Sequence, residues 1–69
     1  MNHFEDIPNS TIEHLINEYI HSKRDREILK CRFIDGMTHE SIAEQFELSP
    51  NQIKNIVYKK GDKILKRIS

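Results

Sequence analysis

Apolar residues along this chain recur three and four positions apart, and nowhere do they alternate one-for-one with polar residues. A period near 3.6 residues is that of an α-helix with one buried face, so the pattern predicts helices and no strand. Between Asn9 and Lys60 only Gly36 and Pro50 interrupt it. The chain has 69 residues, room for one small domain, because a second core would need roughly 50 more. Ordering such a chain costs on the order of 100 kcal/mol, at about 1.5 kcal/mol per residue. With 36% apolar residues the core can only just offset that. A deep, lidded catalytic pocket does not fit this composition, and a binding module does.

Residues 1–9 read as an arm and residues 10–69 as a single domain. Ser10 and Glu13 have capping-box spacing and predict a helix from Ser10 to about His21. Its apolar stripe is Ile12, Leu15, Ile16, Tyr19 and Ile20. Ser22 followed by Asp25 predicts a second helix to about Ile34, burying Ile28, Leu29 and Phe33, with Gly36 past its end as the stop. Thr38 is the N-cap candidate of a short helix, His39 to Phe46, with Ile42, Ala43 and Phe46 inward. Ser49-Pro50 then supplies a cap and a first-turn proline. The helix it opens is expected to reach about Lys60, with Ile53, Ile56 and Val57 inward and Gly61 as its stop. A last turn or two, 62–68, carries Ile64, Leu65 and Ile68.

Two helices meeting across Phe46-Glu47-Leu48-Ser49 have the layout of a helix-turn-helix, placed at 38–60. Ile42, Phe46, Leu48, Ile53 and Ile56 fill its apolar positions, and Ala43 is the small residue its helix crossing needs. The fold class is therefore all-α: a four- to five-helix helix-turn-helix domain with an added N-terminal amphipathic helix.

The chain resembles region 4 of bacterial sigma factors, and more distantly LuxR-type output domains. The matching stretches are Arg24 to Leu29, Arg32 to Thr38, Ile42-Ala43-Glu44, Leu48-Ser49 and Ile53 to Ile56, within residues 24–66. The resemblance implies that the second helix of the motif enters the DNA major groove, and that a surface for RNA polymerase exists. Two positions depart. Glu47 stands where the family usually has Gly, which predicts an altered turn, since a non-Gly residue at positive φ costs about 1 kcal/mol. Pro50 and Asn51 stand where the family commonly has base-reading Arg and Glu, so the family's −35 preference is not carried over.

The residues support double-stranded DNA as partner without the family. On a wheel centred on Ile53, Ile56, Val57 and Lys60 fall within about 60° of it, while Asn51, Lys54, Asn55 and Tyr58 fall opposite. Asn and Gln pair with adenine edges, and Lys donates to guanine or phosphate. Asn51, Gln52, Lys54, Asn55 and Tyr58 are the candidate base-contacting set. Thr38, Ser49, Lys59, Lys60, Lys63, Lys66 and Arg67 are the candidate phosphate contacts. Charge agrees: residues 1–22 hold four acidic residues and no Lys or Arg, whereas residues 50–69 hold six basic residues against Asp62 alone. The whole chain nonetheless sums to zero, and Asp35, Glu40, Glu44 and Glu47 are acidic near the motif. That favours a second function class, a stand-alone sigma region 4-like module working mainly through RNA polymerase or another sigma factor.

Arg32 lies at the edge of the second helix's apolar stripe and is expected to pair with a carboxylate of the next helix, Glu40 or Glu44, as a structural ion pair. The first helix's stripe must be covered, by the chain's own motif or by a second copy in a homodimer. His14, Glu18 and His21 share a helix face, but one helix with an incomplete ligand set reads as solvated surface, so no metal is expected. The single cysteine, Cys31, excludes an internal disulfide. Lys30 and Arg32 beside it would lower its pKa, but a half-buried apolar role suits it better. No Ser or Thr has convergent His and Asp partners, so neither a catalytic residue nor a cofactor is expected. No apolar run is long enough for a membrane span, and the acidic N-terminus does not read as a signal peptide, which makes the cytoplasm the expected location.

Overall fold

The computed structural model describes residues 8–68, and every regular element among them is helical: α1 (Asn9–Tyr19), α2 (Lys23–Phe33), α3 (His39–Phe46) and α4 (Pro50–Ile68). The arm expected at 1–9 falls almost wholly outside the described residues. α1 differs from expectation at both ends. It begins at Asn9 with Pro8 as its cap, and no side chain caps it. The Pro8 carbonyl accepts from Thr11 N at 3.0 Å and Ile12 N at 3.2 Å, which places Ser10 inside the first turn. The Ser10–Glu13 capping box therefore does not form. The helix stops at Tyr19 because Ile20 turns extended. Arg26 of α2 then reaches back, donating from Nη1 to the carbonyls of Ile20 at 3.1 Å and His21 at 3.2 Å.

The other starts follow the sequence. Ser22 Oγ accepts from Asp25 N and Thr38 Oγ1 from Ser41 N. Such caps satisfy N–H groups a helix leaves unpaired, and each stabilises by about 1 kcal/mol. Gly36, at φ 72°, makes the left-handed turn after α2, and Met37 N–H closes onto the Cys31 carbonyl.

The core has two parts. Ile12, Ile16 and Ile20 of the α1 stripe, 0–2% exposed, pack with Leu29 of α2 and Ile64 of α4. Ile28, Cys31, Ile42, Ala43 and Ile53 form the second part beneath α3 and the start of α4. Val57 touches both. The α1 stripe is thus covered by this chain itself, and it supplies no reason for a second copy.

The largest departure is Gly61. It was expected to end the recognition helix, yet α4 runs through it to Ile68 as one 19-residue rod. Gly inside a helix costs about 1 kcal/mol relative to Ala. Continuing the helix buries Ile64 completely against α1, worth about 2 kcal/mol, and so outweighs that cost. The missing side chain is also used: a Cβ at Gly61 would lie 3.0 Å from Phe33 Cζ. Gly61 is the point where α2's aromatic end lies against the backbone of α4. The predicted separate last turn is therefore the end of α4, and the described residues form four helices.

Candidate nucleic-acid interface

The turn between α3 and α4 decides how the recognition helix is presented. Glu47 occupies the left-handed region itself, at φ 58° and ψ 40°. Leu48 N–H donates to the Ala43 carbonyl at 2.9 Å, and Glu47 N–H approaches the Glu44 carbonyl at 3.4 Å. That pair of bonds is a Schellman closure. The expectation that Glu in place of Gly would alter the turn is overturned: Glu47 bears the strain and the turn is kept. Ala43 and Ile42 below it and Ile53 after it are buried, which fixes the geometry by packing.

α4 opens with a reciprocal cap. Ser49 Oγ accepts from Gln52 N at 3.2 Å, and Gln52 Oε1 accepts from Ser49 N at 2.9 Å. Ser49 as cap and Pro50 as first residue match the sequence reading. The second half, from Gln52, was legible only as the Ser-x-x-Gln spacing of 49–52, which the sequence reading missed.

Burial divides α4 as the wheel predicts. Ile53 is buried, and Ile56, Val57 and Lys60 are half-buried. Asn51, Gln52, Lys54, Asn55, Tyr58 and Lys59 are exposed. Tyr58, at 68%, is the one large hydrophobic residue left exposed among the described residues. The five candidate base-contacting residues therefore sit together on the outer surface of the first three turns of α4. Of the candidate phosphate contacts, Ser49 and Lys59 adjoin that surface, whereas Lys60 lies on the half-buried side of α4 with Ile53, away from it. Thr38 is at the far end of α3 from the turn, about 12 Å of helix away.

The basic C-terminal residues divide, one engaged by helical spacing and one by the packing of α1. Lys63 is exposed. Lys66 Nζ pairs with Asp62 Oδ2 at 3.2 Å on the same helix. The Arg67 guanidinium lies over the Tyr19 ring of α1. Two of the seven candidate phosphate contacts are thus engaged within the fold.

Arg32 also differs from its expectation. Its Nη1 donates to the Met37 carbonyl at 3.0 Å, and no Arg32–Glu40 or Arg32–Glu44 ion pair occurs among the described residues. The guanidinium is spent on bridging the Gly36 turn, where an unpaired carbonyl is closer at hand than the carboxylates of α3. Cys31 is buried, and burial, followed by the charges of Asp35 and Glu27, pushes its thiol pKa up rather than down. His14 pairs with Glu18 on the exposed face of α1. No cluster of His, Cys, Asp and Glu able to hold a metal occurs among the described residues. No described helix is long and apolar enough to cross a membrane.

The family described as Sigma-70, region 4 matches residues 22–59, more than half of the chain and the whole span from the α2 cap to the third turn of α4. The chain belongs to the sigma-70 region 4 family. Domains of this family are DNA-binding helix-turn-helix units of the transcription machinery, and α3, the Glu47 turn and α4 supply that unit here. No curated protein and no solved structure matched the chain. α1 lies outside the matched span, and so does nearly the whole second half of α4, residues 60–68, on which it packs.

Proposed function

We propose that this region 4 domain binds double-stranded DNA in a sequence-dependent way through the outer face of α4 and regulates transcription. The observation that carries the reading is the cluster of Asn51, Lys54, Asn55 and Tyr58, all exposed on one side of a helix whose opposite side is buried. Amides in mid-helix weaken a helix unless they have a use, and adenine edges in a major groove offer one. Lys59 and Lys63 are exposed beside the face and supply charge for the phosphates. Asp62 follows Tyr58 by four residues and sets the limit of the contact surface, since a carboxylate repels the backbone of DNA.

A second reading makes the domain a docking module for RNA polymerase or another sigma factor. What favours it is the exposure of Asp35, Glu40, Glu44 and Glu47 around α3, together with a net charge of zero. Selection from random duplexes, with the protein alone and with RNA polymerase added, separates the two. A preferred sequence recovered by the protein alone, whose preference at one base pair relaxes in Asn55→Ala, supports DNA reading by α4. Absence of any duplex binding at low salt, with retained binding to RNA polymerase, leaves the docking module.

A further inference from the structure

The side chain of Gln52 has a position that its place on the helical wheel does not reveal. It curls toward the start of α4, where its amide oxygen accepts from Ser49 N at 2.9 Å. A backbone N–H can be accepted only by the oxygen of the amide, so the chemistry also fixes which end of the side chain is which: Oε1 faces the backbone and the NH2 is the other end. In return Ser49 Oγ takes the N–H of Gln52. Pro50 has no N–H, and Ile53 N goes to the Ser49 carbonyl at 3.1 Å. Residues 49 and 52 thus close the first turn of the recognition helix between them, and no other side-chain hydrogen bond of Gln52 occurs among the described residues.

An amide reads adenine by presenting oxygen and NH2 together, the oxygen accepting from N6 and the NH2 donating to N7. Gln52 would have to release Ser49 N and swing outward to do so. The gain of a good bidentate pair, about 5- to 150-fold in discrimination, would then be partly cancelled by the loss of the cap. Asn51 and Asn55 carry no such constraint: both are exposed, and neither makes a side-chain hydrogen bond among the described residues. They are four residues apart, about 6 Å along the helix axis, which spans one to two base steps.

We infer that Gln52 is withdrawn from base reading by the reciprocal cap with Ser49 and acts as a positioning residue, holding the α4 N-terminus and leaving its NH2 for a phosphate, so that adenine reading falls to Asn51 and Asn55. This rests on the DNA-binding reading above and narrows it. Among the five residues first assigned to bases, one belongs to the frame that aims the others.

Gln52→Ala and Gln52→Glu test it. Glutamate is the favoured partner in a capping box, so it keeps the acceptor for Ser49 N while removing the NH2. Gln52→Ala melts several degrees below the parent, and Gln52→Glu restores the parent's melting temperature. In duplex selection both variants recover the parent's preferred sequence. Gln52→Glu binds all duplexes about equally weakened, near ten-fold, because a carboxylate now faces phosphate. A preference that changes at one base pair in either variant, with the parent still selecting a sequence, overturns this inference and leaves DNA binding intact. Equal melting of parent and Gln52→Ala overturns it too, since no cap was then lost. A parent that selects no duplex overturns the DNA reading itself, and this inference with it.

Discussion

The guanidinium of Arg67, on the last turn of α4, lies over the ring of Tyr19, on the last turn of α1, with its central carbon 4.5 Å from the ring centroid. The contact joins the far end of the recognition helix to the helix that the family match does not include. An exposed cation–π pair of this kind stabilises by about 0.5–1 kcal/mol. Arg67→Ala and Tyr19→Ala should therefore each lower the melting temperature, and a double-mutant cycle should return a coupling of that size. Affinity for DNA should be unchanged in Arg67→Ala at every salt concentration. A flattened salt dependence in that variant would return Arg67 to the phosphate contacts.

Salt dependence itself should report a smaller set of contacts than the count of basic residues implies. Lys66 is paired with Asp62, Arg67 is stacked on Tyr19 and Lys60 is half-buried on the Ile53 side, leaving Lys54, Lys59 and Lys63 for phosphates. Three contacts give a slope of log K against log salt of roughly −2.7, at −0.9 per contact. Lys59→Ala and Lys63→Ala combined should flatten it by about 1.8 without changing the preferred sequence. Titration of one labelled duplex across a range of salt measures both values.

Ile16 is fully buried between α1, α2 and α4. Ile16→Ala should cost about 2–5 kcal/mol, which is comparable to the whole stability of a domain this size. Circular dichroism should show a largely unfolded chain at room temperature, and removal of residues 1–21 should do the same. A truncated chain that stays helical and melts cooperatively would mean that α1 is dispensable to the fold.

At Gly61 the measurement is again thermal. Gly61→Leu must displace the Phe33 ring, which a Cβ alone would approach to 3.0 Å, and overpacking of this kind costs about 1–3 kcal/mol. Better helix propensity returns about 1 kcal/mol, so the expected result is a net loss of several degrees. A Gly61→Leu variant more stable than the parent would show that the ring moves aside freely.

Cys31 gives a pH prediction. Its thiol pKa is raised in the folded state, chiefly by burial and further by Asp35 and Glu27. The folded state therefore holds the proton more tightly than the unfolded chain does. Its contribution to stability is complete below the unfolded thiol pKa of about 8.5, and it falls as pH rises above that value. Denaturant melts from pH 7 to 10 should show a decline that is smaller in Cys31→Ala. Alkylation of the native protein at pH 8 should be slow, and fast in urea.

Most of the fold was written in local signals. The 3.6 period places the helices because each buries one face, and Ser22, Thr38 and Ser49-Pro50 mark the starts of α2, α3 and α4 because a cap is a contact within three residues. The division of α4 into a buried line through Ile53 and an outer face with Asn51, Lys54, Asn55 and Tyr58 needs only helical geometry, and so the candidate interface was legible too. What tertiary structure decided lies where two elements compete for one residue. Gly61 reads as a stop, but α1 needs Ile64 and Phe33 needs the space, so α4 continues. Glu47 lacks glycine's freedom, yet packing of Ala43 and Ile53 around the turn holds it left-handed. Arg32, Lys66 and Arg67 are long side chains within reach of several partners. The choice of Met37 by Arg32 and of Tyr19 by Arg67 depends on which groups the folded backbone brings near, whereas Asp62 and Lys66 are four residues apart on one helix, a pairing that spacing does encode.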